Sequence, residues 1–322
     1  MEAADKNVLN ALRRLKGITG FATTLCREGD PRARVFNRYD HIRRMLWINS
    51  YFCGATGVNP ERANEIILLH DLNRWPFAQN SEKGYFDQSA HTAAFLPELV
   101  PGISEETVRD VIMLHRKQPS GMGRAARPAY IADVIAGMIE DPLLLITGLN
   151  ADPEIVPERL VPLLGLDLSP AGTAVLAALC ETLNRKKDAA AFSRQFRELF
   201  ETLCKRFIDR HAAACGTLEE LEASICRDTL TVKEEFLLPI VFPINNEKVC
   251  HGGWIKRQII GPLIDAMGLD EAGRYLLSVD EAELLEELRK SGRMRAEELS
   301  NAYPHLDYTS DAGSGVKALI PG

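Results

Sequence analysis

Apolar residues in this chain return every three or four positions, and no stretch alternates with period two for long, so the pattern predicts helices throughout. Asn59, Pro60 and Glu61 make a helix start, with a cap, a fixed-φ first residue and an acid in the first turn. That helix carries Ile66, Ile67 and Leu69 up to His70. Ser104 with Glu105 and Glu106 opens another, in which Val108, Val111, Ile112 and His115 share a face. A third is expected from about Pro128 to Asp141, with Ile131, Val134, Ile135 and Met138 turned inward. Five prolines from Pro142 to Pro170 then break the period and mark a long connection or a boundary. Helical spacing resumes with Phe192, Phe196, Leu199, Phe200, Leu203 and Phe207, a stripe read as core in preference to a subunit interface. Asp280 with Glu283 is a capping box, and the last residues, "SDAGSGVKALIPG", read as a mobile tail.

At 322 residues, 46% hydrophobic and 26% charged, the composition is that of a globular protein with a large core. A net charge of -7 leaves no global basic field for an extended nucleic-acid surface, so any phosphate must be met locally. "MEAADKNVLN" lacks the cationic-then-apolar order of a signal peptide, and no apolar run approaches about 20 residues. The expectation is a cytoplasmic protein without a membrane span. Seven cysteines without CxxC spacing point to reduced core thiols rather than disulfides or a thiolate zinc site.

The unusual stretch is "IILLHDLNRW", Ile66 to Trp75, where an apolar run ends in an imidazole and a carboxylate side by side. Unpaired charge there is costly, so the pair caps a helix or stands beside a cation. Four of the seven histidines, His41, His70, His91 and His115, fall in the first 115 residues, and Asp133 lies within the next predicted helix. Imidazole nitrogen and carboxylate oxygen are the donors that borderline divalent cations take, and about six such ligands would serve two ions.

The order His41, His70 with Asp71, His91, His115, Asp133 resembles the HD superfamily of metal-dependent phosphohydrolases in its six-ligand form. "NRYDHIRRM" followed by "LLHDLNRWPF" is similar to deoxynucleoside triphosphate triphosphohydrolases. "VIMLHRKQPSGMGRAARPAYIADVIAG" is similar instead to small HD hydrolases of dinucleoside polyphosphates. Many members carry lysine where Arg74 stands, and an arginine keeps the phosphate-facing charge while adding a bidentate fork.

The resemblance implies an all-α fold: an HD-type metal-binding helical bundle over residues 1–150, a helical accessory region over 151–305 and a flexible tail over 306–322. It implies one or two divalent ions, among Mn, Fe, Co, Ni, Zn and Mg, held by His41, His70, Asp71, His91, His115 and Asp133. Asp71, Arg74 and Arg38 are the expected catalytic residues, and Arg38, Arg74, Lys83 and Lys117 the expected contacts to substrate phosphate. The implied reaction is hydrolysis of a phosphate ester or anhydride in a small phosphorylated molecule, foremost a nucleotide, by metal-activated water. Two other readings stay open: a diiron oxygenase of the same ligand pattern acting on a small polar substrate, and a metal-holding regulatory or binding module without turnover. A homo-oligomer is compatible with either.

Overall fold

The computed structural model describes residues 2–18, 37–82, 84–149, 155–167, 169–184, 189–241 and 255–291. Lys83 and the expected tail, 306–322, lie outside the described residues. Among the described residues the regular structure is helical and contains no strand, so the fold class is all-α. In chain order the helices are α1 (Glu2–Arg14), α2 (Arg38–Thr56), α3 (Glu61–Leu69), α4 (Gln79–Glu82), α5 (Gln88–Leu99), α6 (Glu105–His115) and α7 (Arg127–Leu149). They continue with α8 (Val161–Leu164), α9 (Pro170–Asn184), α10 (Ala189–Ala214), α11 (Leu218–Val232), α12 (Gly261–Met267), α13 (Leu269–Leu276) and α14 (Glu281–Lys290). Two π-helical stretches, Lys233–Val241 and Lys256–Ile260, adjoin α11 and α12. No helix among the described residues is long and apolar enough to cross a membrane.

Side chains at the helix starts explain several boundaries. Asn59 Oδ1 accepts from Glu61 N before α3, and Asn37 Oδ1 accepts from Asp40 N in the first turn of α2. Asp87 accepts from Ser89 N and Ala90 N at α5, and Ser104 accepts from Thr107 N at α6. Capping boxes pair Thr217 with Glu220 at α11 and Asp280 with Glu283 at α14. Each satisfies backbone donors that the helix itself cannot.

One boundary differs from the sequence expectation. The helix expected to end near Asp141 runs on to Leu149 with Pro142 inside it. A proline interior to a helix costs about 3 kcal/mol. Leu143 and Ile146, both 1% exposed, extend the apolar stripe of Ile135 and Ile139 beyond it. Burying two more large side chains, worth about 1.5–3 kcal/mol each, outweighs the lost hydrogen bond.

The chain divides into two compact units that do not follow chain order. The first takes the described residues within Met1–His41, Leu69–Arg116 and Asn246–Gly322; the second takes those within Ile42–Leu68 and Lys117–Asn245. In the first, α5 packs on α6 and on α1. Its hydrophobic cluster joins Trp75, Phe77 and Phe86 to Ile255, Ile259, Ile260, Leu263, Ala272, Leu276, Val279, Leu284, Leu285 and Leu288. Residues 255–291, expected as part of an accessory region, thus form the apolar wall under the loop that follows His70 and Asp71. In the second unit α7, α9, α10 and α11 pack together. The stripe Phe192, Phe196, Phe200, Leu203 and Phe207 is buried there and is core. Arg44 bonds Glu140 through Nε, 2.5 Å away, and lies over the Phe196 and Phe200 rings at 5.9 and 5.7 Å.

Candidate metal centre

His41 stands in the first turn of α2, one helical turn after Arg38, whose backbone N–H donates to Ile18 O at 2.9 Å. His70 and Asp71 leave the end of α3, whose Ile66 and Ile67 are fully buried. The packed helix therefore fixes the backbone from which both side chains project. His41 and His70 are 6% and 3% exposed, their rings are 5.8 Å apart, and their ligand nitrogens lie within 4.8 Å of each other. Two buried imidazoles at that spacing form a donor pair suited to a borderline divalent cation.

Asp71 is fully buried and engaged on both oxygens. Oδ2 accepts from Arg38 Nη2 and lies 3.1 Å from His70 Nε2. Oδ1 accepts from Arg74 Nε at 2.9 Å and has Gln88 Nε2 at 3.4 Å. Burial alone would raise its pKa; Arg38, His70 and Arg74 reverse that and hold the carboxyl well below the usual range. The carboxylate thus anchors two guanidinium groups.

Arg74, expected to meet phosphate, has another occupation. Its Nη1 donates to Glu82 Oε2 at 2.6 Å while Nε donates to Asp71, and Glu82 Oε1 accepts from Trp75 N at 3.0 Å. Burial works against the charged form, but the carboxylates of Glu82 and Asp71 outweigh it and raise the pKa above its ordinary value. A guanidinium neutralised by two acids is a brace for Asp71.

His115, expected to bind a second ion, braces the backbone of His70. Its Nε2 is 2.5 Å from His70 O, and its Nδ1 is 3.3 Å from Thr92 Oγ1. Burial, followed by the nearby charge of Arg74, pushes its pKa down to about 3, so at neutral pH the ring is uncharged and Nε2–H donates to the carbonyl. Gln88 Nε2 donates to the same carbonyl at 3.1 Å, which fills both of its lone pairs. His91 is exposed near the start of α5, with Nδ1 2.7 Å from Asp87 O and its ring stacked on Phe86. Neither histidine joins the His41 and His70 pair.

Asp133 lies on α7 in the second unit, where its carboxylate pairs with the Lys117 ammonium. Lys117 itself adopts a left-handed backbone, φ 55°.

The polar residues that complete the first unit's network were not legible in advance. Asn73 Nδ2 donates to Thr92 Oγ1 at 3.0 Å, Thr92 Oγ1 donates to Gln88 O at 2.6 Å, and Gln88 Nε2 lies 3.2 Å from Asn73 Oδ1. Asn73, two positions after Asp71 in a buried turn, carries a faint signal; nothing local in the sequence singles out Gln88 and Thr92. Comparison with protein families, with curated proteins and with solved structures finds no match to this chain.

Proposed function

We propose that this protein is a metal-dependent phosphohydrolase of HD type, acting on a phosphate ester or anhydride, foremost in a nucleotide. The observation that carries the reading is the buried His41 and His70 pair, with ligand nitrogens within 4.8 Å. In this proposal His41 and His70 are the two imidazole ligands of one ion. A single ion is proposed rather than two because His115 spends its Nε2 on the His70 carbonyl and Asp71 spends both oxygens on protein donors. When bound, such a cation supplies Lewis acidity, lowering the pKa of water and polarising a phosphoryl oxygen.

The remaining work falls to the chain's own groups. Arg38 Nη2 is held on Asp71, while its buried Nε has no hydrogen-bond partner among the described residues. A buried guanidinium N–H left unsatisfied is costly, and an anionic phosphoryl oxygen is the acceptor that relieves it. This favours a substrate that carries an anionic phosphoryl group. Asp71 orients Arg38, Arg74 orients Asp71, and His115 with Gln88 fixes the backbone of His70.

The test is metal analysis of the protein as purified, followed by a nucleotide panel assayed for release of phosphate, pyrophosphate or triphosphate. H70A and H41A should lose bound metal and turnover together, whereas R38M should retain metal and lose turnover by about 10²-fold, the scale of one electrostatic donor. Undiminished turnover in H70A without metal overturns the reading. Consumption of dioxygen with turnover would replace it by the oxygenase.

A further inference from the structure

Arg14 is the last residue of α1, and its guanidinium turns to backbone carbonyls of two distant segments. Nη2 donates to Leu72 O at 3.0 Å and Arg74 O at 2.8 Å; Nη1 donates to Val279 O at 3.2 Å, with Leu276 O at 3.5 Å. One guanidinium thus gathers two carbonyls from the turn after Asp71 and two from the end of α13 and its exit. Burial lowers its pKa to about 10, which leaves it protonated at neutral pH.

The turn it holds has few backbone bonds of its own. Arg74 N donates to Asp71 O at 3.1 Å and Ala78 N to Trp75 O at 2.9 Å. Phe77 and Ala78 have φ of 65° and 43°, a left-handed backbone that costs non-glycine residues about 1–3 kcal/mol each. External contacts must hold it. Phe77 N donates to Glu281 Oε1 at 2.8 Å, and the Phe77 ring is buried in the wall formed by residues 255–288. Leu72 O and Arg74 O flank Asn73, and Arg74 is the residue whose side chain grips Asp71.

We propose that Arg14 is a positioning residue for the metal centre: by clamping Leu72 and Arg74 to the exit of α13, it sets the Arg74 side chain against Asp71 and, through Asp71, the place of His70 and Arg38. This rests on the metal-centre reading above. Lysine cannot reproduce the arrangement, since one ammonium lacks the forked spread that reaches four carbonyls from two segments.

The experiment titrates the full-length protein with Co²⁺ and follows its ligand-field absorption, beside hydrogen exchange of the amides at 72–78. R14Q should weaken Co²⁺ affinity about 10–100-fold, the range for residues that orient metal ligands, with faster exchange at Arg74 and Ala78. R14K should fall between wild type and R14Q. R13Q, which removes the neighbouring exposed cation, should leave both readouts unchanged. A folded R14Q with wild-type Co²⁺ affinity overturns the proposal. If R14Q does not fold, R14K decides by the same two readouts, wild-type values for both overturning it. If wild-type protein takes up no Co²⁺, the metal reading fails. The clamp is then judged by exchange alone: unchanged exchange at 72–78 in R14K removes it, and faster exchange keeps it as a clamp on the turn.

Discussion

A fully buried aspartate between two arginines makes three charges depend on one another. Asp71 receives Arg38 on one oxygen and Arg74 on the other, and Arg74 continues to Glu82. Replacing Asp71 with asparagine keeps the shape and removes the charge, leaving two guanidinium groups beside a neutral amide in a dry site. Breaking a buried pair in this way costs about 3–5 kcal/mol. D71N should therefore shift the urea midpoint strongly downward even in metal-free buffer, and a loss of stability under about 1 kcal/mol would show that the arginines find other partners. At this scale the sequence was informative about residue types and silent about pairing. The apolar run into His70 and Asp71 announced a compensated charge, and the compensation is present. That Arg74 would turn back to Asp71 and Glu82 depends on a turn with left-handed Phe77 and Ala78, which no local signal at those residues foretells.

Elements in this chain are held by the places where their ends meet other side chains. The turn after α1 brings Gly17 against the cap of α14: a Cβ on Gly17 would lie 2.4 Å from Asp280 Oδ2. Asp280 cannot move aside freely, because Oδ1 accepts from Glu283 N at 2.9 Å. G17A should cost about 1–3 kcal/mol in thermal or urea unfolding, the range for overpacking. A second element contact carries a pH dependence. His211 on α10 lies with Nδ1 2.9 Å from Ser224 Oγ on α11 and Nε2 3.3 Å from Asp228 Oδ2, its ring edge-on to Phe207. Burial lowers its pKa below the ordinary 6.5; Asp228 opposes this and Arg210 adds to it. Below about pH 6.5 the unfolded chain then binds more protons at this histidine than the folded one, so stability falls as pH drops from there toward the lowered value. Chemical denaturation between pH 7.5 and 5.5 should show that slope, and H211Q should reduce it; an identical slope in both proteins would remove His211 as its source. The helices themselves were largely readable, since caps at Asn59, Ser104 and Asp280 are local chemistry. The end of α7 was not, because burial of Leu143 and Ile146 overrides a proline that reads locally as a stop.

Across the whole chain, linear reading and spatial grouping part company for a physical reason. Helical periodicity reports which face of a segment is apolar, and says nothing of which distant segment covers it. Trp75, Phe77 and Phe86 are covered by residues from Ile255 to Leu288, almost two hundred positions later. The first 150 residues therefore contribute to both compact units and complete neither. A fragment of residues 1–150 would expose Trp75 and Phe77, which are 1% and 2% exposed in the full chain, and would lose the Arg14 contacts to Leu276 and Val279 and the Phe77 contact to Glu281. Uncovering each large side chain forfeits about 1.5–3 kcal/mol, and several together approach the 5–15 kcal/mol that holds a domain folded. The fragment should accordingly show red-shifted tryptophan emission, no cooperative urea transition and rapid exchange at 72–82. A chain ending at residue 254 should share that loss in the first unit while the second, whose 117–245 segment is intact, still unfolds cooperatively. If 1–150 instead gives a sharp transition with protected amides at 72–82, the bundle around His41 and His70 is self-sufficient, and the wall of α12 to α14 is an addition to it rather than part of its core.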